Sequence, residues 1–248
     1  MPFFFDLHVH TVRGSSDSGL LPAQLVENAR RIGLSGVCLT EHGGWSDRRE
    51  FDAFAQSSGL VVVHGLEVDT DLGHVLVLGV DSYQPGMSSL RELRRVVQRA
   101  GGFMILAHPY RNMFNPPPYN KNLLYGGKVH TYPHVPQEAV GHHGFELVDA
   151  VEVVNGANTD PENWFAQEVT RLMGRKGTGG SDAHSIHGLG KGVTAFNDPV
   201  RNEGELIEAL RAQAFVAAEG LHIGNVKYVV NGTPGALHSV VDGKPLAQ

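Results

Sequence analysis

Cysteine is nearly absent: Cys38 is the only one in 248 residues. A lone thiol excludes an intrachain disulfide framework and any cysteine-rich zinc module. Its setting in Gly36-Val37-Cys38-Leu39 marks a buried strand thiol. Long apolar runs are missing too, and stretches such as Leu60-Val61-Val62-Val63 fall far short of the ~20 residues a membrane helix needs. The start, Met1-Pro2-Phe3-Phe4-Phe5, lacks the basic and long apolar regions of an export signal. The expected location is therefore cytoplasmic, with no membrane partner, and the Asn231-Gly232-Thr233 sequon is expected to be fortuitous. Positive charge is in deficit, with 20 Lys and Arg against 26 Asp and Glu for a net charge of -6. That leaves no basic footprint for duplex nucleic acid. A G-x-x-x-x-G-K-[ST] phosphate loop, a G-x-S-x-G elbow and an H-E-x-x-H helix are also absent.

What the chain does have is histidine, 14 in all, and glycine, 31. Short apolar runs alternate with helical patterns, the signature of β/α units on a parallel sheet. Strands are expected at Phe3 to Leu7, Val37 to Thr40, Leu60 to Val68, His74 to Val80, Phe103 to Ala107, Val148 to Val154, Lys176 to Gly180 and Gly192 to Phe196. Extended tail segments follow at Phe215 to Ala218 and Val226 to Val230. Helices are expected at Pro22 to Ile32, Ser46 to Ser57, Ser88 to Ala100, Pro161 to Met173 and Glu203 to Ala212. The turn Asp71-Leu72-Gly73 before His74 interrupts the β/α rhythm. From about 110 to 144 the pattern dissolves into Pro116-Pro117-Pro118 and residues including His130, His134, His142 and His143. A structureless loop of that length is uncommon unless functional or disordered. It reads either as a lid carrying Tyr119, Tyr125 and Tyr132 or as a solvated, partly mobile loop. The remainder reads as one domain over 1–248 with this insertion.

Polar residues fall at strand exits. His8 and His10 end the first strand, Glu41 and His42 the second, Glu67 the third, and His108 follows Phe103 to Ala107. Asp182 and His184 follow Gly179-Gly180. In parallel β/α folds the carboxyl ends of strands form one rim, where such side chains converge. Alternate strand residues share a face, so His8-x-His10 and Asp182-x-His184 each point two groups the same way. Imidazole with carboxylate and no thiolate suits Zn, Mn or Fe, in sites of one or several ions.

Asp6-Leu7-His8-Val9-His10-Thr11, Ser16-Asp17-Ser18-Gly19, Leu39-Thr40-Glu41-His42, Gly65-Leu66-Glu67-Val68, Ala107-His108-Pro109 and Gly180-Ser181-Asp182-Ala183-His184 occur in that order. Together they resemble the motifs of the PHP (polymerase and histidinol phosphatase) superfamily, over roughly Phe3 to Phe196. The resemblance implies a distorted (β/α)7 barrel of α/β class with two or three divalent metal ions at the strand ends: Mn, Zn or Fe, with Mg possible. It further implies His8, His10, Glu67 and Asp182 around a first ion and Asp17, His42 and His184 around a second. A third would share Glu67 and use His108, with His74 the choice for its remaining ligand. Some family members carry histidine at the position of Asp17, so the aspartate is expected to shift the second site toward Mn or Mg over Zn. Glu41 could orient a liganding imidazole or cap the next helix. Glu152 and Asn155 are expected on opposite strand faces, one toward the cavity and one away. His64 is expected to be structural, and His187 to be exposed or to support a ligand from behind.

The activity implied is metal-dependent hydrolysis of a small phosphomonoester, a nucleotide or an oligonucleotide end by a metal-bridging hydroxide. Asp182, His184 and Arg111 are the candidate catalytic groups. Arg111, three residues after His108, is expected to reach a phosphate oxygen. The alternatives are hydrolysis of a non-phosphate ester, carbamate or phosphotriester at the same cluster, or a noncatalytic metal-bearing accessory module.

Overall fold

The computed structural model describes residues 2–229. The sequon, His238 and the end of the expected tail segment at Val230 lie outside the described residues. Six strands point the same way: β1 (Phe3–Val9), β2 (Gly36–Glu41), β3 (Val61–Thr70), β5 (Phe103–Leu106), β6 (Ala150–Asn155) and β7 (Gly177–Gly180). β4 (Gly73–Leu78) runs antiparallel between β3 and β5, joined to β3 by the tight turn that breaks the β/α rhythm. β8 (Gly192–Phe196), β9 (Phe215–Glu219) and β10 (Lys227–Val229) extend the sheet beyond β1 by antiparallel pairing. The ten strands form one sheet in the order β10-β9-β8-β1-β2-β3-β4-β5-β6-β7. It curls until the segment after β7 reaches β1, where Ala183 bridges to Val9 and the Asp182 N–H donates to the His8 carbonyl at 2.7 Å. The result is a distorted α/β barrel.

Covering helices are α1 (Pro22–Ile32), α2 (Arg48–Ser58), α3 (Leu90–Ala100), α5 (Asp160–Leu172) and α6 (Glu203–Arg211), with one short turn of helix, α4 (Pro136–Ala139). α3 shows why such segments are helical and where they lie. Leu90, Leu93, Val96 and Val97 form one buried stripe at helical spacing, and Gly101 at φ +66° ends the helix in a conformation that costs glycine little. α2 starts at Arg48 because the Asp47 carboxylate accepts from the Arg49 and Glu50 N–H groups. Strand β2 is buried throughout, as expected of a parallel strand covered on both faces, and includes Cys38. Burial pushes that thiol well above its ordinary pKa. None of the helices among the described residues is long and apolar enough to cross a membrane.

The 110–144 insertion is better ordered than its composition suggests. Tyr110, Met113, Leu124 and Ala139, with Phe145 just past its end, are buried in the core cluster that also holds α3 and α5 side chains. It is thus anchored to the core at these side chains, while much of the rest of it, including Tyr119, Leu123, His130, His134 and His143, is exposed.

Candidate metal centre

Each barrel strand delivers its polar residue to the same rim. His8, on β1, and His10, just past it, share a face and are fully buried, with ring centroids 5.0 Å apart. His42 follows β2 and Glu67 lies on β3. His74 starts β4, and because that strand is antiparallel its beginning returns to the rim where the parallel strands end. His108 follows β5, while Asp182 and His184 follow β7. Among the described residues these side chains make three groups whose potential ligand atoms all lie within 4.8 Å of one another: His8, His10, Glu67 and Asp182; His10, His42 and His184; Glu67, His74 and His108. Asp17 joins the second group through its Oδ2, 3.2 Å from His184 Nε2 and 3.4 Å from His42 Nε2.

The first group fits an ion closely. His8 Nε2 and His10 Nε2 lie 3.3 and 3.2 Å from Glu67 Oε2, and 3.5 and 3.3 Å from Asp182 Oδ1. Tetrahedral ligands on bonds of about 2.1 Å stand about 3.4 Å apart. Both imidazole Nε2 atoms are buried without a hydrogen-bond partner, which a native fold rarely tolerates unless something else occupies the lone pair. Oxygen and nitrogen donors without sulfur suit Zn, Mn or Fe.

The surrounding network orients these rings. Glu152 is buried, and as a carboxylate it only accepts, so His8 Nδ1–H must donate to its Oε1 at 3.0 Å, which leaves Nε2 as the free lone pair. The other oxygen of Glu152 accepts from the His108 N–H at 2.9 Å and Asn155 Nδ2 at 2.8 Å. Ser15 Oγ donates to Glu41 Oε2 at 2.6 Å, and it accepts from the His42 N–H at 3.0 Å and His10 Nδ1–H at 3.1 Å. Glu41 therefore acts on an imidazole through Ser15. It does not cap α2, which Asp47 does.

Charge is tightly balanced. Burial opposes ionisation of Glu67 and Asp182, yet the imidazoles facing them, with Arg111 beside Asp182, outweigh it and hold both carboxyls well below their ordinary range. Burial likewise opposes charge on His8, but Asp182, Glu152 and Glu67 raise its pKa well above an ordinary imidazole. His108 shifts the other way, lowered by burial and by Arg111. The site thus has a strong internal demand for cationic partners to its carboxylates. His108 and Asp182 also adopt positive φ, +29° and +55°, an uncommon conformation for residues with side chains.

Arg111 lies at this edge. Its Nη2 is 2.6 Å from Asp182 Oδ2, its Nε donates to Asn158 at 3.0 Å and its Nη2 to Asn155 at 2.8 Å. The expectation that Glu152 and Asn155 face opposite ways is overturned, since the two are hydrogen-bonded. The pairing of β6 with β7 shifts register between Glu152 and Val154, and the extra residue turns both onto one side. Sequence reasoning also passed over Asp6, Ser15 and Asp69. The Asp6 carboxylate accepts from the Ser181 and Gly190 N–H groups, tying the Asp182 loop to β1, and burial pushes it up to about 6. Its signal was present, because residues 6, 8 and 10 alternate onto one face. Asp69 Oδ1 lies 2.8 Å from His74 Nε2. His64 packs edge-on against Phe51 as a structural residue, and His187 is exposed. None of the insertion's histidines belongs to the three groups.

The PHP domain profile matches residues 6–125, and the PHP-associated profile matches residues 160–215. The chain belongs to the PHP superfamily. A 91-residue segment is 32% identical to error-prone DNA polymerase of Nocardia farcinica, covering 37% of this chain and 7% of that one. A 98-residue segment is 26% identical to 5'-3' exoribonuclease of Haemophilus influenzae, covering 38% of this chain and 35% of that one. The matches therefore span well under two thirds of these relatives' lengths. Among solved structures, a candidate metal-dependent phosphoesterase of Bifidobacterium adolescentis superposes with a TM-score of 0.57 at 17% identity, over 83% of this chain and 95% of that one. That likeness carries the PHP fold. The two profile matches leave residues 126–159 between them, the stretch that contains Glu152 and Asn155.

Proposed function

We propose that this PHP protein is a metal-dependent hydrolase of phosphate esters that acts on a small phosphomonoester, a nucleotide or an oligonucleotide end. The observation that carries this reading is the convergence on one rim of three groups of potential metal ligands, joined through Glu67 and His10, with Arg111 beside them. His8, His10, Glu67 and Asp182 would hold one ion, Asp17, His42 and His184 a second, and Glu67, His74 and His108 a third. Bound there, divalent ions would supply Lewis acidity and a water acidified enough to serve as nucleophile near neutral pH.

The chain's own groups divide the remaining work. The first group is buried, whereas Asp17 is 56% exposed and His42 and His184 are each 32% exposed. Substrate therefore enters over the second group. Arg111 stands at the Asp182 side of the cluster, held by Asn155 and Asn158 so that its remaining N–H donors can fork onto a phosphate oxygen pair. Asp182 attracts that guanidinium through Oδ2 while its other oxygen faces the first group. His184 donates from Nδ1 to the Asp182 carbonyl at 3.0 Å, which aims Nε2 toward Asp17. The similarity to a protein named as an exoribonuclease supports a nucleotide or oligonucleotide end within this class. The cytoplasm is the location this reading assumes.

The test is phosphate release from nucleoside monophosphates, 5'-phosphorylated oligonucleotides and sugar phosphates with Mn, Zn, Fe or Mg, using Asp182→Ala as control. Metal-dependent turnover lost in the variant is expected. No metal-dependent turnover on any substrate would sink the proposal.

A further inference from the structure

We propose that Glu152 and Glu41 are positioning residues, each of which ties two metal positions together by fixing hydrogen-bond donors from both. The inference rests on the metal-site reading above and concerns how the ligands are held.

Glu152 spans the first and third groups. One oxygen takes the His8 Nδ1 proton, while the other takes the backbone N–H of His108. His108 has φ +29°, so that backbone bond anchors a residue in a conformation its side chain disfavours. A single carboxylate therefore sets the tautomer of one ligand and the backbone of another. Asn155 supplies a third donor to the same carboxylate. No neutral residue of this shape can accept at both ends.

Glu41 spans the first and second groups by way of Ser15. Its carboxylate also accepts from the Thr11 N–H at 3.0 and 3.1 Å, which pins the loop after β1. Because Glu41 takes the Ser15 hydroxyl proton, both lone pairs of Ser15 Oγ face donors, the His10 ring and the His42 backbone. His10 is thereby held with Nε2 free, and His42 is held by its main chain. Outer carboxylates of this kind commonly govern metal affinity by about 10- to 100-fold.

Glu152→Gln is the discriminating variant because it keeps size and shape. Its amide oxygen would serve the two donors on the Asn155 side, which leaves the amide NH2 against His8 Nδ1. That forces the proton onto Nε2, the atom that would otherwise meet the ion. Zinc affinity is read by chelator competition, occupancy by anomalous diffraction, and the His8 ring proton by 15N–1H NMR on the zinc-loaded protein. Wild type should show a slowly exchanging Nδ1 proton on His8. Glu152→Gln should lose that signal and bind zinc about 10- to 100-fold more weakly at the first group, with the second and third retained, whereas Glu152→Ala, which removes both acceptors, should weaken the third group as well. If Glu152→Gln does not fold, Ser15→Ala carries the test, with weakening expected at the first and second groups and the third retained. Wild-type zinc affinity in a folded variant, or equal weakening at all three groups, overturns the proposal alone. Failure of the wild type to bind any divalent metal overturns the metal-site reading itself, and this proposal with it.

Discussion

Arg111 Nη2 lies 2.6 Å from Asp182 Oδ2, within ion-pair distance, yet that oxygen has no aligned hydrogen bond. The guanidinium is thus attracted to the carboxylate without being locked by it. Two asparagines hold it instead, and an arriving dianion can claim it.

Arg111→Gln should lower kcat/KM for phosphate esters by about 10²-fold, the scale for removing one preorganised charged donor, while metal stoichiometry is retained. Arg111→Lys should restore little, because an ammonium lacks the planar fork. Steady-state kinetics beside metal analysis checks this. Normal kcat/KM in Arg111→Gln would remove the residue from substrate binding.

Glu67 presents Oε2 to His8, His10 and His42 and Oε1 to His74 and His108. Glu67→Ala should therefore cut bound metal at both groups it belongs to, whereas His74→Ala should affect one. Metal should also raise the unfolding midpoint of the wild type, by about 2.7 kcal/mol of stability per site at 100 times its Kd. That gain should shrink in Glu67→Ala. Thermal scans across a Mn titration read it.

Gly180 sits where a methyl group has no room, since a Cβ there would come within 2.5 Å of His8 Cβ and 2.6 Å of Glu152 Oε1. Gly180→Ala should cost about 1–3 kcal/mol of stability. It should also weaken metal binding although no polar atom changes. Unfolding and metal titration together test this, and wild-type affinity would show that the rim can relax.

The buried anchor of the insertion, with Phe145 at its end, should behave as core. Phe145 is 3% exposed, so Phe145→Ala should cost about 3–5 kcal/mol, measured by urea unfolding. His142, half-buried against Tyr125 and Phe145, is pushed down to about 4 by burial and by neighbouring His143. Its folded pKa lies below the unfolded value near 6.5, so the stability it contributes is present above 6.5 and is lost as pH falls toward 4. His142→Gln should accordingly lose less stability between pH 7 and pH 4.5 than the wild type does. An equal loss in both would show that His142 does not titrate with folding.

The rim was legible because strand alternation and chain order carry it: His8 and His10 share a face, and Asp182 and His184 follow a glycine-ended strand. The same rhythm predicts parallel strands with covering helices, whereas the distorted barrel came from the resemblance of the ordered motifs to the PHP superfamily. Glu152 with Asn155 was not legible, since a bulge adds one residue without marking the apolar run around it. Packing of the insertion escaped for a related reason. Tyr110, Met113, Leu124, Ala139 and Phe145 follow neither the strand nor the helix period, so their burial depends on contacts that periodicity does not encode.

The Asp6 carboxylate grips the Ser181 backbone from 175 positions away, and Val9 meets Ala183 beside it. Closing so long a loop is slow and yields nothing until the last barrel strand docks. A nascent or truncated chain that ends before residue 184 would therefore carry the histidines of β1 and β2 without a finished cage. Metal capture then becomes a report on completed folding, and partial chains would hold ions only loosely.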